Sequence, residues 1–270
     1  MSVTAENRSD RELAAMFAPA DVRQRLLGFY AWLEEIEQIP VKAREPAIQA
    51  MRFAWHREAV SDLFLEPPKV RRHDAYEGLA GLLEVDGPTQ AELTGIINAI
   101  EDGLDPDGLA NGDVLLSLID AHHGQALKIG LRLAGADSNE AQTLAAGRAA
   151  GLAHWLGSFA FRAGRQLAVI PQADLAMAGL NTHRLATGRE PDLAKLALAP
   201  ILDHLEDASQ TLRLTGKCAS EAFPVMGAAR LARGMLKQAR ATNDPYRSHF
   251  DRPLLARQWE LLRASISGRL

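Results

Sequence analysis

Apolar residues recur at helical spacing along almost the whole chain, and this pattern restricts the fold more than any other feature. In the first strong segment, Phe29, Leu33 and Ile36 lie three or four positions apart, which places them on one face of a helix. Alternating β-branched runs are few, and the good helix formers alanine and leucine dominate the composition. We therefore predict an all-α protein.

Short proline-rich or polar segments separate the predicted helices. Prolines at 40, 46 and 67–68 interrupt the pattern early in the chain, and Pro171 does so later. Residues 101–112, rich in aspartate and glycine, are the best candidate for a subdomain boundary but are too short for a long linker. The predicted helices cover residues 19–39, 45–64, 72–84, 88–101, 112–134, 138–166, 191–215, 219–240 and 251–267.

One predicted helix, residues 138–166, is apolar on nearly all of its faces. Small side chains crowd positions 145–151 and permit close approach of neighbouring helices, so we expect this helix at the centre of the fold. No fixed-period repeat divides the chain. We predict a flexible N-terminus at residues 1–9 and one helical domain at residues 10–270.

Composition and charge exclude several classes of function. The net charge of −4 argues against a broad nucleic-acid surface, which needs clustered lysine and arginine. Cys218 is the only cysteine, so neither an internal disulfide nor a thiolate metal cluster can form. No apolar run approaches the ~20 residues of a membrane span, and the first residues lack the apolar core of a secretory signal. We expect a cytoplasmic protein, with peripheral contact at the inner membrane as the alternative.

Three segments resemble the squalene/phytoene synthase family. The stretch from 17 to 32, which ends in Tyr30-Ala-Trp, is similar to the family's entry helix with its Tyr-Ala-Phe element. Residues 51–57, which include Arg52 and Trp55, resemble the second helix with its arginine and its Trp-Trp-Arg pattern. Residues 147–175 resemble the helix and the Tyr-Leu-Pro loop around the second aspartate motif.

The resemblance covers residues 10–263 and implies an isoprenoid-synthase-type helical bundle around a central cavity. Members of the family join two prenyl diphosphates head to head. Their chemistry needs Mg²⁺ ions held by two aspartate pairs, each at i, i+4 spacing, because this spacing places both carboxylates on one helical face. The metal neutralises the departing diphosphate, and a dry apolar cavity protects the carbocation.

This sequence departs from the family pattern at the first aspartate pair. Counted from Tyr30, the first aspartate position falls at Glu37 and its i+4 partner at Val41, beyond Pro40. One carboxylate remains, and the pair is lost. Because Glu37 follows Tyr30 by seven residues and Leu33 by four, its side chain could face a cavity.

The second aspartate pair is missing as well. No acidic residue occurs between Glu140 and Asp174, and Arg162 and Arg165 stand where metal ligands are expected. We therefore expect no catalytic residue, no metal ion and no cofactor. The resemblance and these positions give the following candidates for contact with a ligand in the cavity: Tyr30, Glu37, Arg52, Trp55, His122, Arg162 and Arg165.

Other polar clusters have ordinary structural interpretations. Asp203 and Asp207 form an Asp-x-x-x-Asp sequence, but they lie opposite the apolar face of their helix, so we predict that solvent surrounds them. Aspartates at 102–107 lack the central glycine and final glutamate of a calcium loop. His122 and His123 are adjacent and point about 100° apart on a helix, which favours core or pocket-rim positions over a metal pair.

Three hypotheses about function remain. Aspartate-poor relatives include a mitochondrial assembly factor for respiratory complex I, and this chain resembles that branch. The first hypothesis is a non-catalytic protein that binds an unknown protein partner or an apolar, prenyl-like ligand. The second is an active transferase whose Arg162 or Arg165 binds diphosphate, because guanidinium groups suit phosphate oxygens. The third, a helical adaptor, requires an exposed apolar patch larger than a few hundred Å².

Overall fold

The computed structural model describes residues 9–83, 86–247 and 253–270, and every regular element in these ranges is helical. This confirms the predicted all-α fold. The predicted flexible N-terminus lies outside the described residues except for Ser9. In chain order the helices are α1 (Asp10–Ala15), α2 (Ala20–Glu37), α3 (Ile39–Lys42), α4 (Pro46–Leu63), α5 (Asp74–Ala80), α6 (Gln90–Asp102), α7 (Gly112–Ile119), α8 (Gln125–Ala134), α9 (Glu140–Gly157), α10 (Phe159–Gly164), α11 (Gln172–Met177), α12 (Thr182–Ala186), α13 (Pro191–Leu214), α14 (Phe223–Ala241) and α15 (Leu254–Ser267).

Local sequence signals account for several helix starts. Ser9 caps α1 and Thr89 caps α6, and each exchanges hydrogen bonds with a glutamate three residues later, which satisfies free amides of the first turn. Proline opens α4, α13 and α14, where its missing N–H costs nothing. Seven of the nine predicted helices correspond to single helices, whereas those predicted over 112–134 and 138–166 are each divided, the second into α9 and α10. The short helices α1, α3, α11 and α12 are additional.

The predicted helix over 112–134 is interrupted by a π turn at Asp120–Gly124, which separates α7 from α8. Wider turns of this kind reorient the side chains that follow them. The Arg148 guanidinium, on α9, donates to both carboxylate oxygens of Asp120, with its Nη2 2.7 Å from Oδ2. This ion pair fixes the start of the π turn against α9.

Helix α9 lies at the centre of the fold, as predicted, and packs against α13, α14 and the π turn. Glycines permit this close packing. A Cβ atom on Gly147 would lie 2.9 Å from Cα of Gly124, and one on Gly151 would lie 2.9 Å from the ring of His123. The small residues of α9 therefore allow the π turn to pack directly against this helix.

The N-terminal helices bury the larger aromatic side chains. Trp32 and Phe29 of α2 and Phe53 of α4 are completely buried, while α2 packs against α5 and α8 and α4 packs against α6. The short helix α1 packs against α14 through its buried residues at 13–15. This contact places the side chain of Arg11 beside the end of α2.

Two further predictions concern the surface. Asp203 and Asp207 are exposed on α13, and Asp203 forms an ion pair with Arg240 at 2.9 Å, so the solvated interpretation is confirmed. No helix in the described part of the chain combines the length and apolar character needed to cross a membrane.

Candidate functional site

Charged and aromatic side chains converge where α1, the end of α2 and the π turn meet. The Glu37 side chain is only 8% exposed. Its two oxygens accept hydrogen bonds from the Arg11 guanidinium, with Nη1–Oε1 at 2.9 Å and Nη2–Oε2 at 2.6 Å. Nε2 of His122 donates to Oε1 at 2.9 Å. Every oxygen of this carboxylate therefore already has a partner from the protein.

The charge on Glu37 is stabilised by these partners. Burial raises the pKa of a carboxyl group, but the Arg11 cation and the hydrogen bond from His122 outweigh burial and hold the pKa of Glu37 well below its usual range. Burial lowers the pKa of Arg11, and Glu37 more than reverses that effect, so its pKa is raised. The pair is fully ionised at neutral pH.

Three histidines extend the cluster towards α9. The ring centroids of His122 and His123 are 3.9 Å apart, and those of His123 and His154 are 5.0 Å apart. Burial lowers the pKa of His122, although Glu37 partly offsets the effect, and it lowers that of His123 much further. The side chain of His154 is exposed to water. The rings of His122 and His123 are neutral at pH 7, so Arg11 supplies the cation next to Glu37.

Tyr30 borders the cluster two turns before Glu37 on α2. The guanidinium carbon of Arg11 lies 5.7 Å from the centre of the Tyr30 ring, within the range of a cation–π contact. Burial raises the pKa of Tyr30 to about 12, and Arg11 offsets only part of this shift. The Tyr30 phenol is therefore uncharged at neutral pH and forms one side of the site.

The two candidate arginines have different surroundings. Arg162 stacks on Trp155, 3.9 Å from the ring centre, and its Nη1 donates to the carbonyl oxygens of Gly103 (2.7 Å) and Ala168 (2.8 Å). Burial lowers the pKa of Arg162 to about 10. Its side chain thus joins the residue that ends α6 to the loop after α10.

Arg165 is half-buried and lies at the end of α10. Its Nη1 donates to the carbonyl oxygen of Pro40 at 3.3 Å, and its guanidinium carbon lies 5.0 Å from the centre of the Phe161 ring. Through Pro40 it reaches the segment directly after Glu37. Arg165 is therefore near the cluster, with one weak bond to the main chain.

Two other candidates lie away from Glu37. Arg52 is exposed on α4. Trp55 belongs to a separate aromatic group, in which its ring centre lies 4.8 Å from that of His56 and 5.6 Å from that of Tyr76. The guanidinium carbon of Arg71 lies over the Trp55 ring, 5.3 Å from its centre. The structure therefore brings together Tyr30, Glu37 and His122 and leaves Arg52 and Trp55 outside.

Sequence reasoning did not identify Arg11, His123 or His154 as members of the cluster. Arg11 lies in a short helix before the first strong apolar pattern, and the packing of α1 on α14 and on α2 places it beside Glu37. The two histidines come together because the π turn and Gly151 make room for the ring of His123. The helical spacing of apolar residues in the sequence reveals neither the packing of α1 nor the π turn.

The donor atoms at this site do not fit the Mg²⁺ centre that the family resemblance implies. Glu37, His122 and His123 offer ligand atoms within 4.8 Å of one another. Mg²⁺ prefers oxygen donors, whereas imidazole suits Zn²⁺ and other transition metals. Both Glu37 oxygens also bind Arg11, whose charge would repel a metal ion. A single carboxylate held by a guanidinium cannot replace two aspartate pairs.

A profile of the family described as "Squalene/phytoene synthase" matches residues 4–260. The chain belongs to this family. No curated protein matches the sequence. The match extends over all the helices that build the Glu37 cluster.

Solved structures show the same fold. A dehydrosqualene synthase in complex with a ligand has a TM-score of 0.69 and 16% identity, and the alignment covers 97% of this chain and 92% of that one. Squalene synthase HpnC from Alicyclobacillus acidocaldarius gives 0.62 and 13%, with coverage of 98% and 91%. YisP from Bacillus subtilis subsp. subtilis strain 168 gives 0.58 and 15%, with coverage of 94% and 89%. At these identities the comparison establishes the all-α isoprenoid synthase fold.

Proposed function

We propose that this protein is a non-catalytic member of the squalene/phytoene synthase family that binds a protein partner or an apolar ligand. One observation carries the proposal. Glu37 stands at the position of the first aspartate, and its carboxylate is held on both oxygens by Arg11 and on one by His122. The charge that an Mg²⁺ ion would neutralise is already neutralised by the protein.

The second region supports the same conclusion. The described chain has no carboxylate from Ala141 to Ala173, which includes most of α9, all of α10 and the loop that follows. Two carboxylate pairs are needed to bridge Mg²⁺ ions to a diphosphate, and neither pair can be assembled from these residues. Without the metal, a departing diphosphate would depend on side-chain cations alone for charge neutralisation.

The rival function is an active transferase that binds prenyl diphosphate through Arg162 or Arg165. Arg162 uses Nη1 for two main-chain carbonyls and its Nε for Ser158, so a phosphate that bound two of its nitrogens would have to displace at least one of these acceptors. Arg165 has fewer bonds and is the better phosphate ligand of the two. One half-buried arginine does not replace a metal cluster.

The more specific form of the proposal is assembly of respiratory complex I. Its support is the resemblance to the aspartate-poor branch of the family, together with the internal ion pair that replaces the metal-binding carboxylates. In this form, the bundle acts as a binding surface for an assembly intermediate and performs no chemistry of its own.

A turnover assay tests the proposal. Purified protein is incubated with farnesyl or geranylgeranyl diphosphate and Mg²⁺, and released diphosphate and apolar products are measured, with a dehydrosqualene synthase as the positive control. We expect no turnover above a protein-free blank. Mg²⁺-dependent release of diphosphate that disappears in Arg165→Ala would establish the rival function instead.

A further inference from the structure

Helix α15 exposes an apolar stripe on the side that faces away from the protein. Leu261 and Ala264 are buried and face the body of the protein. The opposite face carries four large apolar side chains at i, i+4, i+7 and i+11, a spacing that aligns them along the helix. They are Leu255 (78% exposed), Trp259 (63%), Leu262 (42%) and Ile266 (80%).

A groove of about 1020 Å³ runs beside this stripe, between the end of α13, α14 and α15. Its described lining contains six cationic side chains and one carboxylate, on a chain whose net charge is −4. The carboxylate is Glu260, whose Oε1 lies 3.2 Å from Nε of Arg230. The cations are Arg213, Lys217, Arg230, Arg233, Arg263 and Arg269.

Four of these cations are available to a ligand. The side chains of Arg213, Lys217, Arg263 and Arg269 are exposed, and none forms an ion pair with a described residue. Arg233 has a structural role, because its Nη2 donates to the main-chain oxygen of Leu270 at 2.8 Å. Positive charge is thus concentrated next to an exposed tryptophan and three aliphatic side chains.

We propose that α15 and the adjoining groove dock this protein on the surface of a bilayer that contains anionic phospholipids. A helix of this kind lies in the plane of the interface, with its apolar stripe among the acyl chains. Tryptophan prefers this boundary, and clustered lysine and arginine bind anionic headgroups. The stripe and the groove are adjacent, so one bilayer satisfies both. The proposal is independent of whether the family's chemistry is retained.

A second copy of the chain fits this surface less well than a bilayer. In a twofold dimer the same patch of each copy would face the other, which would place the two groups of cations against one another. A lipid surface has no such conflict, because its phosphate groups are complementary to the groove. Self-association is therefore an outcome that the experiment must detect.

Vesicle flotation tests the proposal. The full chain is mixed with vesicles of phosphatidylcholine, or of phosphatidylcholine with 30% phosphatidylglycerol, at two salt concentrations. We expect binding only to the anionic vesicles, weaker at higher salt. In parallel, the tryptophan fluorescence of the chain, to which the exposed Trp259 contributes, should shift to shorter wavelength.

Two double variants separate the charge from the stripe. Lys217→Glu with Arg263→Glu should weaken binding at least about 25-fold, because a cation near the surface contributes ~1 kcal/mol, or about fivefold. Trp259→Ser with Ile266→Ser should abolish flotation, because it removes two of the apolar side chains that would enter the acyl region. The matched control combines Arg189→Glu on the loop after α12 with Met177→Ser on α11, both exposed, and should float like the wild type.

Three results would overturn the proposal. The first is equal binding to both kinds of vesicle. The second is wild-type binding by both double variants, the one in the groove and the one in the stripe. The third is a dimer in sedimentation equilibrium that Trp259→Ser with Ile266→Ser converts to a monomer, which would assign the stripe to self-association. Circular dichroism of each variant checks that it is folded.

Discussion

Arg11 and Glu37 depend on each other for burial. Removing one member of a buried ion pair leaves the other charge without compensation, whereas removing both is often close to neutral. The Glu37 carboxylate is nearly inaccessible to water, and its other partner, His122, has a pKa that burial lowers, so Arg11 is the cation that compensates this charge at neutral pH. At the scale of single residues, this pair is the feature that most distinguishes the site from a metal centre.

Replacing Arg11 with methionine should therefore destabilise the protein by about 3–5 kcal/mol, because Glu37 would keep its charge in a buried position. Adding Glu37→Gln should restore most of the loss, since the amide oxygen still accepts the hydrogen bond from His122. Urea denaturation of the two single variants and the double variant measures the coupling. Equal and additive losses would show that the two side chains are not coupled.

Buried histidines make stability depend on pH. Tyr76 Oη lies 2.8 Å from Nδ1 of His56, whose pKa burial lowers to about 4, and burial also lowers the pKa of His122 and His123. A lowered histidine pKa means that the unfolded chain binds protons first as the pH falls below about 6.5. Stability is therefore greatest above this pH and declines below it.

Between pH 6.5 and 5, His56 alone should cost about 2 kcal/mol of stability, because each pH unit below the unfolded pKa contributes ~1.4 kcal/mol. Carboxylates with lowered pKa values, such as Glu92 at about 2, begin to contribute only at lower pH. Urea midpoints measured across this window test the prediction. His56→Gln should reduce the slope, and an unchanged slope would contradict the assignment.

Only part of the site was evident at the scale of residues in the sequence. The position of Glu37 followed from its distance to Tyr30 along one helical face. The identity of its partner did not, because Arg11 reaches it through packing between α1 and α14. Long-range pairing of this kind has no periodic signature in a single chain.

At the scale of elements, the crossing of α9 with the π turn organises the site. Gly147 and Gly151 let the π turn approach α9, and Gly151 leaves the space that the ring of His123 fills. The predicted helix boundaries agree with the observed long helices to within a few residues because caps and prolines are local signals. The π turn was missed because apolar spacing continues through it from α7 to α8.

Gly147→Ala should destabilise the protein by about 1–3 kcal/mol, because the new Cβ would lie 2.9 Å from Cα of Gly124 and backbone must move. Gly95 of α6 offers a matched control. It is exposed, and a Cβ there meets no atom within 4 Å. Gly95→Ala should stabilise the protein by roughly 0.5–1 kcal/mol through helix propensity. Chemical denaturation compares the two, and a neutral Gly147→Ala would contradict the close packing.

At the scale of the whole molecule, the family fold is retained while the charges inside it differ from those of a metal-dependent enzyme. Composition and spacing were sufficient to predict an all-α protein, because apolar residues recur at helical spacing along almost the whole chain, whereas the bundle architecture followed from the family resemblance. They did not predict the basic groove, because its cations come from α13, α14 and α15 and the segments beside them and combine only in the folded chain. The apolar stripe lies on α15 alone, but only the folded chain shows that this face is exposed.

A calorimetric titration of the purified protein with farnesyl diphosphate, with and without Mg²⁺, tests the central claim most directly. The account predicts that Mg²⁺ changes neither the affinity of the protein for farnesyl diphosphate nor the thermal stability of the protein in its presence. A ligand that binds only the native state adds ~2.7 kcal/mol at one hundred times its dissociation constant, so an effect would be readily detected. Tight binding of farnesyl diphosphate that requires Mg²⁺ would contradict the account and identify the chain as a metal-dependent enzyme.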